Sequence, residues 1–236
     1  MRTMWLSVTL GLGACGGATG QRELVYPVLG RGEAATAFDA GGWQVTLSRA
    51  DVGIGPVYFC ATAAASSDLC STAVSQFAKS ATVDGLSAEL QPLGEGEGQS
   101  GTVRSATYDF AYTWFATQQR PTPAAGAPMG HSAHFVGQAV NGARTVVFEA
   151  LVDVTPQVQG ARSVQGAPVE ATLDRDDLQL VVDVRPSDWW RDVDFDDVAQ
   201  GGEPSVRISP GSRAYESVVL AMTANRRPTF TWGPKP

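Results

Sequence analysis

Two histidines, the only ones in a chain of 236 residues, lie three apart in "PMGHSAHF", residues 128 to 135. Imidazole and thioether are favourable copper ligands, and imidazole also serves zinc. His131, His134 and Met129 are therefore candidate metal ligands, with Glu149 as a fourth from the neighbouring strand. In a straight strand residues three apart point to opposite faces. The two imidazoles converge on one ion only if "GHSA" bends before the strand begins, and Pro128 and Gly130 supply the means to bend. The other reading is a loop histidine beside a surface histidine paired with a cross-strand glutamate.

A second acidic constellation lies in "SDWWRDVDFDDVAQGGE". Asp192, Asp194, Asp196 and Glu203 fall at positions 1, 3, 5 and 12 of a calcium-loop count,. Asp197 stands where the sharp turn of that loop requires Gly, and Pro204 blocks an exit helix,. The alternative is a short helix carrying Trp189 and Trp190, one packed and one partly exposed, that ends in a solvated acidic segment.

The elements that position these residues read as strands. Trp43, Val45 and Leu47 alternate with Gln44, Thr46 and Ser48,. In "VRSATYDFAYTWF" the residues Tyr108, Phe110, Tyr112 and Trp114 form an aromatic row at period two. Such a row is either core packing or a carbohydrate platform. "HFVGQAV" and "ARTVVFEALVDV" flank Asn141-Gly142, a pair suited to a two-residue type I′ hairpin turn,. That turn places His134 opposite Glu149 on a polar face. Phe135 and Ala139 then share the core face with Val146, Phe148, Ala150, Val152 and Val154. "LGEGEGQSG" reads as a mobile hairpin connection,. "QQRPTPAAGAPMG" and "DVTPQVQGARSVQGAPVE" read as long, ligand-facing loops,. "SPGSRAYESVVLAMTANRRP" predicts a helix capped by Ser209, with Tyr215, Val218, Val219 and Met222 on one face, and "PTFTW" predicts a final strand,.

The N-terminus addresses location. "MRTMWLSVTLGLGAC" joins an early Arg2 to a short apolar run and small residues before Cys15, a signal-peptide layout too short to span a bilayer,. The small residues before the cysteine resemble a bacterial lipobox. The expected organisation is a signal peptide over 1–14, a lipidated tether over 15–22 beginning at Cys15, and over 23–236 one all-β domain, an antiparallel β-sandwich of Ig-like or Greek-key type with one or two short helices. The tether has no acidic residue directly after Cys15, which by resemblance to known lipoprotein sorting signals implies the outer membrane, periplasmic or surface-exposed. Setting Cys15 apart leaves Cys60 and Cys70, expected to form a disulfide in an oxidising compartment,. A net charge of -7 without a basic run argues against nucleic acid and anionic lipid headgroups as partners,. No nucleophile elbow, zinc-protease motif or dinucleotide fingerprint is present,. A non-enzymatic role is the expectation.

The order of "GWQVTLSRADVGIGPVYF", a Gly-His-x-x-His segment opening a hairpin, and "DWWRDVDFDDV" before the last helix resembles uncharacterised lipoproteins of high-GC bacteria. More distantly it resembles the periplasmic copper-associated β-sandwich proteins first described from methanobactin gene cassettes. The resemblance implies an all-β antiparallel sandwich, copper held through histidine, and a di-haem partner that can modify a tryptophan. His131 and His134 match its histidine-bearing segment, and Trp189 or Trp190 would be the modified type of residue. Two functions are therefore expected: a copper-associated lipoprotein, or a surface adhesion or carbohydrate-binding module using the aromatic row and acidic loops, with or without calcium.

Overall fold

Alternation of apolar residues carries through the strands and decides which face each sheet buries. The computed structural model describes residues 20–63 and 73–235. Its strands are β1 (Glu23–Arg31), β2 (Ala37–Ala40), β3 (Trp43–Ile54), β4 (Val57–Cys60), β5 (Ser75–Phe77), β6 (Ala81–Asp84), β7 (Gln91–Gln99), β8 (Gly101–Tyr108), β9 (Tyr112–Thr113), β10 (Thr122–Pro123), β11 (Ala133–Asn141), β12 (Arg144–Val152), β13 (Val164–Leu173), β14 (Leu178–Asp183), β15 (Ser205–Ile208) and β16 (Thr229–Pro234). The helices are α1 (Pro186–Trp190), α2 (Phe195–Val198) and α3 (Arg213–Leu220), the last continued by a π-helical turn over Ala221–Asn225. The fold is all-β with short helices, as expected.

One large sheet runs β13-β8-β4-β5-β7-β1-β14-β16 and a second β15-β12-β11-β3-β2, with β6 pairing the far half of β3, while β9 and β10 form a separate two-stranded sheet. Nearly every pairing is antiparallel; β1 with β14 and β12 with β15 are parallel. The terminal strands β13 and β16 of the larger sheet lie in contact, so this sheet curls towards closure. Tyr108 on β8 meets Phe230 on β16 across that curl, at 5.1 Å between ring centres. Trp189 and Trp190 of α1 enter between the sheets and meet Phe110, Phe135 and Phe148. Both are fully buried, so the expected split into one packed and one partly exposed ring does not occur.

The hairpin forms, but one step along the chain. Asn141 pairs with Arg144, leaving Gly142-Ala143 as the two-residue loop. Gly142 has φ +58° and Ala143 has no positive φ, which meets the type II′ demand for Gly at the first central position,. His134 is consequently opposite Leu151, and Glu149 is opposite Val136. The register differs from the expected one by two residues, so every side chain keeps its face. Phe135, Ala139, Val146, Phe148, Ala150 and Val152 are all buried.

Four further readings change. "LGEGEGQSG" belongs to strand β7, paired with β1 through Glu23↔Gln99 to Gly30↔Gln91. Its glycines make room for inward rings: a Cβ on Gly96 would lie 2.3 Å from Tyr26. The last seven of the 18 residues of the second long loop belong to strand β13. Ser212 rather than Ser209 caps α3, accepting from the Tyr215 N–H. The aromatic row breaks at Ala111, whose φ is +52°, so Tyr108 and Phe110 enter the core while Tyr112 and Trp114 are half-buried in the following segment. Cys60 ends β4 and is buried. Cys15 and Cys70 lie outside the described residues.

Gly96→Ala should destabilise by about 1–3 kcal/mol, the range for overpacking a filled core, because the Tyr26 ring has no room to retreat. Gly142→Ala, which is uncrowded and strained only through φ, should cost less, about 1 kcal/mol,. Urea unfolding of the two variants distinguishes crowding from backbone strain.

Candidate functional site

The segment before β11 bends as the sequence suggested. A 3-10 turn over Pro128–Gly130 contains Met129 at φ +51° and Gly130 at φ +82°, and the His131 N–H closes it onto the Pro128 carbonyl. Met129 is 69% exposed. His131 emerges off the strand axis, and its Nδ1 lies 2.9 Å from an Asp153 carboxylate oxygen. Asp153 is anchored in turn: its backbone N–H donates to the Tyr215 hydroxyl of α3 at 2.8 Å. A carboxylate only accepts, so in the neutral ring the tautomer that suits this contact carries its proton on Nδ1 and its lone pair on Nε2,. Among the described residues Nε2 of His131 bonds to nothing, and the side chain is 31% exposed.

His134 has the opposite arrangement. Its Nε2 faces Glu149 Oε1 at 3.2 Å, while its Nδ1 is buried without a hydrogen-bond partner. Glu149 is shared with Arg207 of β15 at 2.9 Å. Arg207 first, and His134 second, hold the Glu149 carboxyl below the usual glutamate range. The structure therefore brings His134 to Glu149 as expected, by a diagonal rather than a directly opposed contact, and takes His131 to a different carboxylate. The four expected ligands are divided between two places. Among the described residues no group of three or more His, Cys, Asp or Glu side chains is gathered closely enough to hold an ion.

The acidic segment has a structural account. Asp194 caps α2 by accepting from the Asp196 and Asp197 N–H groups. Asp192 pairs with Arg226 at 2.7 Å and Asp196 with Arg144 at 2.8 Å. Glu203 is exposed on the approach to β15. A calcium ion needs six or more oxygens converging. Here Asp194 is turned to backbone and two others are turned to guanidinium groups, so the calcium-loop arrangement is not formed.

Two polar features escaped the sequence reading. Asp153 follows Glu149 at period two in "EALVD", a parity that places it on the same outer face and could have marked it. Asp109 is fully buried beneath Arg162, which donates to it at 2.8 Å, while the Ser163 N–H and hydroxyl donate at 2.7 and 3.0 Å. Burial pushes the Asp109 carboxyl above the usual aspartate range against the pull of these donors. Arg162 also lies over the Tyr58 and Phe115 rings, at 5.2 and 4.7 Å. Nothing local in the sequence pairs residues 53 positions apart.

No protein-family model matches the chain, and no curated protein does. Among solved structures, MbnP from Methylosinus trichosporium is similar over 92% of this chain and 99% of its own, with 10% sequence identity and a TM-score of 0.41. At that identity and TM-score the likeness transfers no residue and no role.

Asp109→Ala leaves a nearly buried guanidinium unpaired and should cost about 3–5 kcal/mol, with Asp109→Leu/Arg162→Met recovering most of it, as measured by urea unfolding. For Glu149 the folded pKa is depressed. Its contribution is therefore present above the unfolded carboxyl pKa and is lost as pH falls through the lower folded value. The stability difference between wild type and Glu149→Gln should be under about 1 kcal/mol at neutral pH, because solvent screens the group, and should vanish in acid.

Proposed function

We propose that the protein is a non-enzymatic lipoprotein of the outer membrane, anchored through a lipidated Cys15, stapled by a Cys60–Cys70 disulfide, and associated with copper through His131. The observation that carries the copper reading is the Asp153 contact to His131 Nδ1, which orients the ring and leaves Nε2 as the donor atom. A carboxylate on the far nitrogen of an imidazole is the usual support of a metal-ligating histidine. Met129, two residues earlier and exposed, offers a thioether, the donor that selects Cu(I),. Zinc is served less well, since its sites require three or four nitrogen, sulfur or carboxylate donors. His134 has no role as a ligand in this reading: one nitrogen is bound to Glu149 and the other is buried.

The N-terminal sequence supports export and anchoring, and the resemblance to copper-associated periplasmic proteins supports the choice of ion. The di-haem partner belongs to the same resemblance. Such a partner could not touch Trp189 or Trp190 directly, because both rings are buried. Anaerobic Cu(I) titration of the purified protein against a chromogenic chelator tests the reading. One equivalent should bind, His131→Ala should abolish it, and Asp153→Asn should weaken it by about 10–100-fold. His134→Ala should leave it unchanged. Absence of binding, or binding that survives His131→Ala, would remove copper from the proposal.

A further inference from the structure

A cleft of about 890 Å³ lies on the outer face of the larger sheet, away from both histidines. Its floor is a single cross-strand row: Thr107 on β8 is opposite Tyr58 on β4, Tyr58 opposite Gln76 on β5, Gln76 opposite Glu97 on β7, and Glu97 opposite Val25 on β1. With strands about 4.8 Å apart, the row runs for about 19 Å across them. Arg162, from the segment between β12 and β13, stands at its β8 end, and Val25 at the other end is 62% exposed. The size falls within that of small-ligand sites.

We infer that this cleft binds a neutral oligosaccharide chain across the strands. The strands of the floor are interior to the sheet, so their backbone groups are already paired and an extended peptide could not add to them as a strand,. Recognition must come from side chains. Those present offer donors only (Arg162), acceptors only (Glu97, Glu23) and both (Gln76, Gln99), the mixture that matches sugar hydroxyls, each of which donates and accepts,. Glu23 and Glu97 disfavour phosphate or polyanionic ligands. Arg162 is held in place before any ligand arrives, by Asp109 beneath it and the Tyr58 and Phe115 rings beside it, which lowers the ordering cost of binding,. Gln76 and Glu97 are likewise set against each other at 2.9 Å.

The test is titration of the whole protein with soluble cello-, xylo-, chito- and malto-oligosaccharides, followed by heteronuclear NMR shifts. Oligogalacturonate and an unstructured peptide serve as charged and peptidic comparisons. At least one neutral series should bind and perturb Gln76, Glu97 and Arg162 resonances. Glu97→Ala should weaken binding by about tenfold or more, as expected for loss of a hydrogen bond to a charged group. Val25→Arg, which obstructs the open end without touching the core, should weaken it too. Unchanged melting transitions in both variants keep a loss of binding from reflecting misfolding. His131→Ala should bind sugar normally, so the result is independent of the copper reading. Lack of binding by every neutral series, preference for the charged chain or the peptide, or binding unaffected by both variants would overturn the inference.

Discussion

The sheets and helices are locked together by a run of aromatic rings that crosses the core. Tyr26 meets Trp232 at 4.5 Å, Trp232 meets Phe59, Phe59 meets Phe230, and Phe230 meets Tyr108 within the curled sheet. Tyr108 then contacts Phe110, Phe110 contacts Trp189, and Phe135 joins Trp189 to Trp190. Phe195 of α2 extends the run from Trp190 to Trp43, where Arg144 covers the final ring at 4.7 Å. Most of these contacts are edge-to-face, the geometry favoured by the ring quadrupole, so each ring fixes the tilt of the next. The arrangement tolerates four defects: Trp43 Nε1, Trp190 Nε1, Trp232 Nε1 and the Tyr108 hydroxyl are each buried without a hydrogen-bond partner among the described residues. An unsatisfied donor costs about 1–3 kcal/mol. Burying a ring of roughly 150–250 Å² stabilises by about 4–6 kcal/mol at the usual coefficient, an upper estimate that still exceeds the cost.

Polar groups are fitted around this dry seam in pairs, and the pairing decides which of them can meet a ligand. Asp109 is at the bottom of its pair and reaches nothing but Arg162 and Ser163. His134 and His131 each contact one carboxylate, but through different nitrogens. His134 keeps its remaining nitrogen buried and unpartnered, and His131 presents its own outside the bonds of the fold. Equivalent residue types three apart thus acquire different chemistry from the strand's alternation and one left-handed turn at Met129.

The sequence revealed faces better than positions. Period-two patterning identified the buried sides of β3, β11 and β12 because core burial penalises any slip that would reverse a face. It could not choose between Asn141-Gly142 and Gly142-Ala143 as the turn, since both choices bury the same residues. The β7 glycines looked like a loop because composition carries no record of Tyr26 across the strand. Ser209 was expected as the cap, but the helix begins only at Arg213, so the cap falls on Ser212. Asp153 and Arg207 went unnoticed as partners because long-range pairing leaves no local signature.

The setting of His134 depends on an irregularity that pattern reading passes over. Strand β3 buries Trp43, Val45 and Leu47, then Ala50, Val52 and Ile54, so its parity reverses between Leu47 and Ala50. The register against β11 shifts at the same place, between Val136 and Gly137, leaving one extra residue on β3. Such a bulge re-aims everything that follows it. Gly137 permits it: a Cβ there would lie 2.7 Å from both the Phe148 ring and the Thr46 carbonyl. Beyond the bulge Asp51 faces outward as the cross-strand neighbour of His134 and binds Arg49 at 2.9 Å. Without the extra residue Asp51 would point into the aromatic seam, where a carboxylate has no partner, and Ala50 would leave the core. The glycine in "FVGQAV" therefore determines, from across the sheet, the charged surroundings in which His134 is held.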